Sequence, residues 1–165
     1  MRPSAAFHQP THDPDALIVT LERGPMLIIP LIREVPADKL KRRPSPNKWS
    51  AHEHACHITT AHMLFLDRLE RMLTEDDPAI TPYGPSDEAP DALMQMDLDA
   101  RLLQYARDRG AIVERLRTLT PAQWERTGRH PEFIHYSIFI MFRHLALHDM
   151  LHAYRIEELM TKQDW

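Results

Sequence analysis

The sequence predicts an all-α protein, a four-helix bundle with a long loop between its second and third helices. Three observations carry this expectation. Apolar residues recur at three- and four-residue intervals in four extended stretches, and no stretch alternates apolar and polar residues over a useful strand length. Proline is common (14) and glycine scarce (4), and the prolines gather between the periodic stretches, as they do where stiff loops separate helices. The 165 residues, 43% of them hydrophobic, suffice for one full core and not comfortably for two. The expected layout is a flexible tail over residues 1–12 and one bundle domain over residues 13–165.

The first helix opens at Asp13-Pro14, an N-cap followed by proline at the first helical position. It runs through Leu17, Leu21, Leu27 and Leu31 to Val35. Gly24-Pro25 and Pro30 fall inside it and predict a kink or a break. The second helix begins at Ser50, with Glu53 three residues on as its capping-box partner. Ile58, Ala61, Phe65, Leu69 and Met72 mark its buried stripe, and it ends near Thr74. A proline-rich loop, "DDPAITPYGPSDEAP" (76–90), precedes the third helix, from about Asp91 to Leu119, with the stripe Leu98, Leu102, Tyr105, Ile112, Leu116 and Leu119. "TPAQWE" (120–125) reads as a threonine cap, a proline at the first position and one short turn. After the loop "RTGRHPEF" the fourth helix runs from about Ile134 to Met160, with Met141, Leu145, His148, His152 and Leu159 near one face.

Composition narrows the function classes. A net charge of −4 argues against a nucleic-acid binder, and the basic run "KLKRRPSPNK" is broken by Pro44 and Pro46 and reads as a solvated loop. One cysteine, Cys56, allows no internal disulfide and suits a reducing cytoplasm. The start of the chain lacks a signal-peptide core. The apolar runs "MLIIPLI" and "FIHYSIFIMF" are well short of the roughly 20 residues a membrane span needs. A soluble, cytoplasmic protein with no membrane and no nucleic-acid partner is expected.

The chemistry lies in the histidines, 11 in number, so their spacing matters. "RHLALHDMLHAYRI" (143–156) sets His144, His148 and His152 four apart. Residues so spaced differ by about 40° in direction and about 6 Å along a helix, and two such imidazoles can reach one ion. His144 and His152 lie about 12 Å apart along the axis, too far to share it. The helix therefore offers one pair, 144/148 or 148/152, and a third ligand must come from elsewhere. His57 borders the buried stripe of the second helix, and His54, one turn earlier, competes with it. His52 and His62 are assigned to solvent. A single inward histidine is most often a hydrogen-bonded core residue. Two unpartnered imidazoles buried side by side waste hydrogen-bonding capacity, which a cation restores.

The stretch "RRPSPNKWSAHEHACHITTAHMLFLDRLERML" resembles the second-helix signature of the DinB/YfiT-like superfamily of DNA-damage-inducible helical bundles, in which a Trp-Ser pair opens the helix and a histidine follows eight residues after the Trp. Here these are Trp49, Ser50 and His57. "HDMLH" resembles the histidine pair of that family's last helix, and "WERTGRHPEF" the approach to it; the likeness spans about residues 15–160. Two positions depart from it. Arg155-Ile156 stands where the family often has Gln-Ile, and Ile134 where a glycine often follows the loop phenylalanine.

The resemblance implies His57, His148 and His152 as ligands of a divalent ion, zinc or nickel, with a coordination position left open, as in catalytic rather than structural sites. Asp149, beside His148, is expected either to orient that ring or to face solvent. His144 and His130 are candidates for the pocket or its entrance, each more simply an ordinary helix or loop residue. Cys56 reads as a small buried residue.

The implied activity is a metal-dependent enzyme acting on a small molecule, either a thiol S-transferase using a low-molecular-weight thiol cosubstrate or a hydrolase, with thiol transfer slightly ahead. A non-catalytic stress-response bundle that binds a metal or small ligand is the alternative. Bundles of this kind often pair through an outer helix face, which allows for a homodimer.

Overall fold

Five of the seven described α-helices open on a side-chain cap. In the computed structural model, which describes residues 12–82 and 91–163, the Asp13 carboxylate accepts the Ala16 N–H and opens α1 (Pro14–Glu34). A short α2 (Ala37–Leu40) follows. Ser50 and Glu53 form the full capping box of α3 (Ala51–Thr60), and Ala61 separates it from α4 (His62–Thr74). Asp97 caps α5 (Leu98–Arg117), Thr120 caps α6 (Pro121–Trp124), and Ser137 caps α7 (Ile138–Thr161). Residues 1–11, all but the last residue of the expected tail, and residues 83–90 of the expected loop lie outside the described residues.

Three expected boundaries are corrected. Of the kink or break expected in the first helix, the break does not occur: α1 runs through Pro25 and Pro30. A proline frees the carbonyl four residues back, and that of Leu21, opposite Pro25, instead accepts from Arg109 Nη1 at 3.3 Å. The third helix starts at Leu98, not Asp91, because Asp91 adopts a positive φ of 62° and a 3-10 turn occupies Leu93–Gln95. The fourth starts at Ile138, not Ile134, because Ser137 accepts the Ile140 N–H as its cap.

Two apolar clusters fill the bundle. One collects the beginning of α1 (Leu17, Leu21), the end of α4 (Leu69, Met72), the end of α5 (Ile112, Leu116) and the beginning of α7 (Ile138, Phe142). The other collects the end of α1 (Ile28, Ile32), the beginning of α3 (Ala51, Ala55), the beginning of α5 (Leu102, Tyr105) and the end of α7 (Ile156, Leu159). So α1 and α7 run one way and α3–α4 and α5 the other. α1 packs on α5 and α7, and α3 packs on the same two, which sets α1 and α3 across the bundle from each other. Because α4 and α5 are consecutive yet parallel, the chain must return the length of the bundle between them, and this is why that connection is long. Among the described residues, no helix is long and apolar enough to cross a membrane.

Between the clusters lies a sealed polar layer. Arg109, 1% exposed, donates through Nη2 to Asp149 Oδ2 at 2.6 Å and to His62 Nε2 at 2.8 Å. Tyr105 donates its hydroxyl to the same Asp149 oxygen at 3.0 Å. His62 is fully buried, against the expectation that it faces solvent: its Nε2 takes Arg109 Nη2 from α5, and the ring stacks on Tyr105 at 5.1 Å.

Candidate metal centre

α3 and α7 pack directly on each other, antiparallel, and this brings the signature residues of both together. One ring nitrogen from each of His57, His148 and His152 lies within 4.8 Å of the other two, a spacing that can hold one ion. The nearest approach is 3.0 Å, between Nε2 of His57 and Nε2 of His148. His57 and His152 are buried, and the His148 side chain is 29% exposed, so the cluster meets solvent on one side.

Neutral imidazoles suit a divalent ion such as zinc or nickel, and burial favours that form at His152 and His54. His152 is pushed down to about 2, by burial first and then by the neighbouring His148, His57 and His54 rings. His54 is pushed down to about 4, by burial, by His57 and by Arg155. Rings packed this closely cannot all satisfy their nitrogens with one another, since each N···N contact shares a single proton. A cation accepts every lone pair at once, so the donor set fits the ion.

Neighbouring residues frame the three rings. His54 Nδ1 lies 2.8 Å from His152 Nδ1, so His54 stands beside the cluster, engaged with one of its members. The Trp49 indole covers the rings, with centroids 4.7 Å from His57, 5.4 Å from His54 and 5.9 Å from His152. Its place is secured from both sides. The Glu53 carboxylate accepts the Ser50 N–H at 2.9 Å and also Arg43 Nε, and Arg43 reaches on to Asp91.

Asp149 is buried, and its Oδ1 lies 3.7 Å from His148 Nδ1. Burial raises its pKa, but the adjacent His148 ring and the Arg109 guanidinium outweigh that and hold it below the ordinary carboxylate value. It is therefore ionised at neutral pH.

The other candidates lie further along. His144 meets Phe133 with ring centroids 4.8 Å apart, and His130 meets Phe133 and Tyr136 at 4.7 and 4.8 Å, all with tilted rings, forming an aromatic cluster at the beginning of α7. Neither belongs to the three-ring group. Of the two departures, Arg155 pairs with Glu158 at 2.7 Å, and Ile134 is fully exposed in the loop. Cys56 is buried as expected, and burial pushes its thiol up to about 11.

His52 is a correction. It is 2% exposed and its Nε2 meets the Leu93 carbonyl at 3.1 Å. The connection leading to α5 lays its 3-10 turn over the outer side of α3 and so buries that face as well.

Trp49's cover, Arg109 and Tyr105 are not singled out as functional from the sequence. Arg109 had a signal: it occupies the position between Tyr105 and Ile112 where the buried stripe of α5 calls for an apolar residue.

A curated protein of Oceanobacillus iheyensis, provisionally named a metal-dependent hydrolase, is 29% identical over 119 residues, covering 71% of this chain and 68% of its own. One of Bacillus mycoides with the same provisional name is 26% identical over 153 residues, covering 92% of this chain and 87% of its own. A solved structure, YfiT from Bacillus subtilis, described as a probable metal-dependent hydrolase with an unusual four-helix bundle topology, superposes with a TM-score of 0.83 at 24% identity. That superposition covers 100% of this chain and 94% of the other, and shows the shared fold. Residues 20–156 match the model of the DinB superfamily, and with the bundle and its signature residues already in place the chain belongs to that superfamily.

Proposed function

We propose that the protein is a divalent-metal-dependent hydrolase acting on a small molecule, with His57, His148 and His152 as the ligands. The observation that carries this reading is the mutual approach of the three ring nitrogens within 4.8 Å. The provisional names of the two curated relatives support hydrolysis over thiol transfer. Bound there, a zinc or nickel ion supplies a Lewis acid and lowers the pKa of water toward neutrality. The chain's own residues do the rest. His57 and His152, both buried, hold their lone pairs away from bulk water, and Trp49 excludes solvent from above them. His54 is neutral at pH 7, because burial and the neighbouring His57 lower its pKa, so it adds no positive charge beside the ligands.

The test is elemental analysis of untagged protein followed by turnover assays on a panel of esters and amides, with and without chelator. The expected result is about one equivalent of metal per chain and hydrolysis that chelation abolishes. Metal below roughly a tenth of an equivalent, even after reconstitution, sinks the metal-site reading. Full metal with no hydrolysis points elsewhere: to thiol transfer if an added low-molecular-weight thiol is consumed with an electrophile, and to a non-catalytic binding bundle if nothing turns over.

A further inference from the structure

Two buried polar atoms face each other without another partner: Asp149 Oδ1 and His148 Nδ1, 3.7 Å apart. Buried polar atoms are rarely left unsatisfied, and a small ring rotation closes this gap to a hydrogen bond. The other oxygen of Asp149 is fully committed, taking Arg109 Nη2 at 2.6 Å and Tyr105 Oη at 3.0 Å. Arg109 is itself anchored at two further points, by His62 Nε2 at 2.8 Å and by the Leu21 carbonyl at 3.3 Å, the one that Pro25 leaves without an N–H donor. A Cβ on Gly24 would lie 3.4 Å from the Tyr105 hydroxyl, so α1 comes into direct contact with this group.

The carboxylate is thus gripped on one side, and its remaining lone pairs point at one imidazole nitrogen. We propose that Asp149, held by Arg109 and Tyr105, is a positioning residue that takes the Nδ1–H of His148 and thereby fixes that ring as an Nε2 donor toward the metal. The proposal rests on His148 being a ligand, as argued above. It accounts for the contact between the two Nε2 atoms: with the proton of His148 held on Nδ1, its Nε2 carries a lone pair that can take Nε2–H of His57 at 3.0 Å, and to ligate an ion through Nε2 His57 would move that proton to its own Nδ1. It also gives the sealed layer a role toward the centre. Carboxylates behind ligand histidines set the tautomer, and losing one typically costs about 10- to 100-fold in metal affinity.

Asp149→Asn is the sharpest test, because the amide is nearly the same shape. Its oxygen stays with Arg109 and Tyr105, so its NH2 turns to His148 Nδ1, and that ring must carry its proton on Nε2, the wrong nitrogen. Ring 15N shifts of the metal-free full-length protein report the tautomer, and competition with a chelating dye reports Zn2+ affinity. The expected result is Nδ1–H on His148 in the wild type, Nε2–H in Asp149→Asn, and about 10- to 100-fold weaker Zn2+ binding by that variant. Tyr105→Phe removes one of the two grips and is expected to mix the tautomers and weaken Zn2+ binding severalfold. If Asp149→Asn does not fold, the wild-type tautomer and Tyr105→Phe decide. A wild-type His148 protonated on Nε2, or folded variants that bind Zn2+ within twofold of wild type, overturns the proposal. A wild-type protein that takes up no Zn2+ overturns the metal-site reading instead, and the metal-free tautomer then still judges the grip on its own terms.

Discussion

The three-histidine cluster and the polar layer around Arg109 adjoin on α7, where Asp149 directly follows His148, yet they solve burial in opposite ways. In the layer, a guanidinium and a carboxylate cancel in charge, and Tyr105, His62 and the Leu21 carbonyl take up further hydrogen bonds. In the cluster there is no carboxylate or guanidinium, only imidazoles: His57 and His148 approach at 3.0 Å, and the adjoining His54 meets His152 at 2.8 Å. The layer is sealed, whereas the cluster has one edge in solvent. The difference teaches where to look for function: buried groups whose charges cancel make a scaffold, and buried rings with no counter-charge beside them make a site.

The comparison can be broken first at the layer. Arg109→Met leaves the Asp149 carboxylate buried and uncompensated, and is expected to cost about 3–5 kcal/mol of stability, or roughly 10 °C in melting temperature. Adding Asp149→Leu removes the stranded charge, and the double variant should recover much of the loss in urea denaturation. If Arg109→Met melts with the wild type, the layer is not the charge-balanced scaffold described.

At the cluster the expectation reverses. His148→Ala removes a partly exposed ring and should change metal-free stability by no more than about 1 kcal/mol. Zn2+ at about 100 times its dissociation constant should stabilise the wild type by roughly 2.7 kcal/mol and the variant not at all. A zinc-dependent melting shift retained in His148→Ala would remove this ring from the ligand set.

The smallest effect per residue, and one shared by both regions, is acid sensitivity. Burial first, then neighbouring basic side chains, lowers His62 to about 3, His54 to about 4 and His152 to about 2. Above pH 6.5 these rings are neutral in folded and unfolded chains alike. Below it the unfolded chain binds protons that the folded protein refuses, so stability falls as pH falls. The slope is about 1.4 kcal/mol per pH unit for each ring. Denaturation of metal-free protein at pH 7.5 and 5.5 should therefore differ by roughly 4 kcal/mol from these three rings. Equal stability at the two pH values would mean that the rings are open to water.

Much of the architecture is written in local signals. Asp13-Pro14, Ser50 with Glu53, and Thr120-Pro121 mark helix starts because a cap needs only a side chain three residues from the N–H it satisfies. The four-residue spacing of His148 and His152, with the resemblance around Trp49, Ser50 and His57, points to the residues that meet. Continuity of α1 through Pro25 is not local, since it depends on a guanidinium arriving from α5 to take the freed carbonyl. The burial of His52 depends likewise on a turn some forty residues later in the chain.

The sequence by itself determined the helices, their caps and the candidate ring nitrogens, because each is set by neighbours within a turn or two. The order of helices around the bundle was decided only in three dimensions, and with it the antiparallel seat of α3 on α7 that brings His57 to His148 and the meeting of Arg109 with Asp149. Those pairings join residues tens of positions apart, and which of them form is settled by packing the whole apolar surface at once, a sum that no single segment contains.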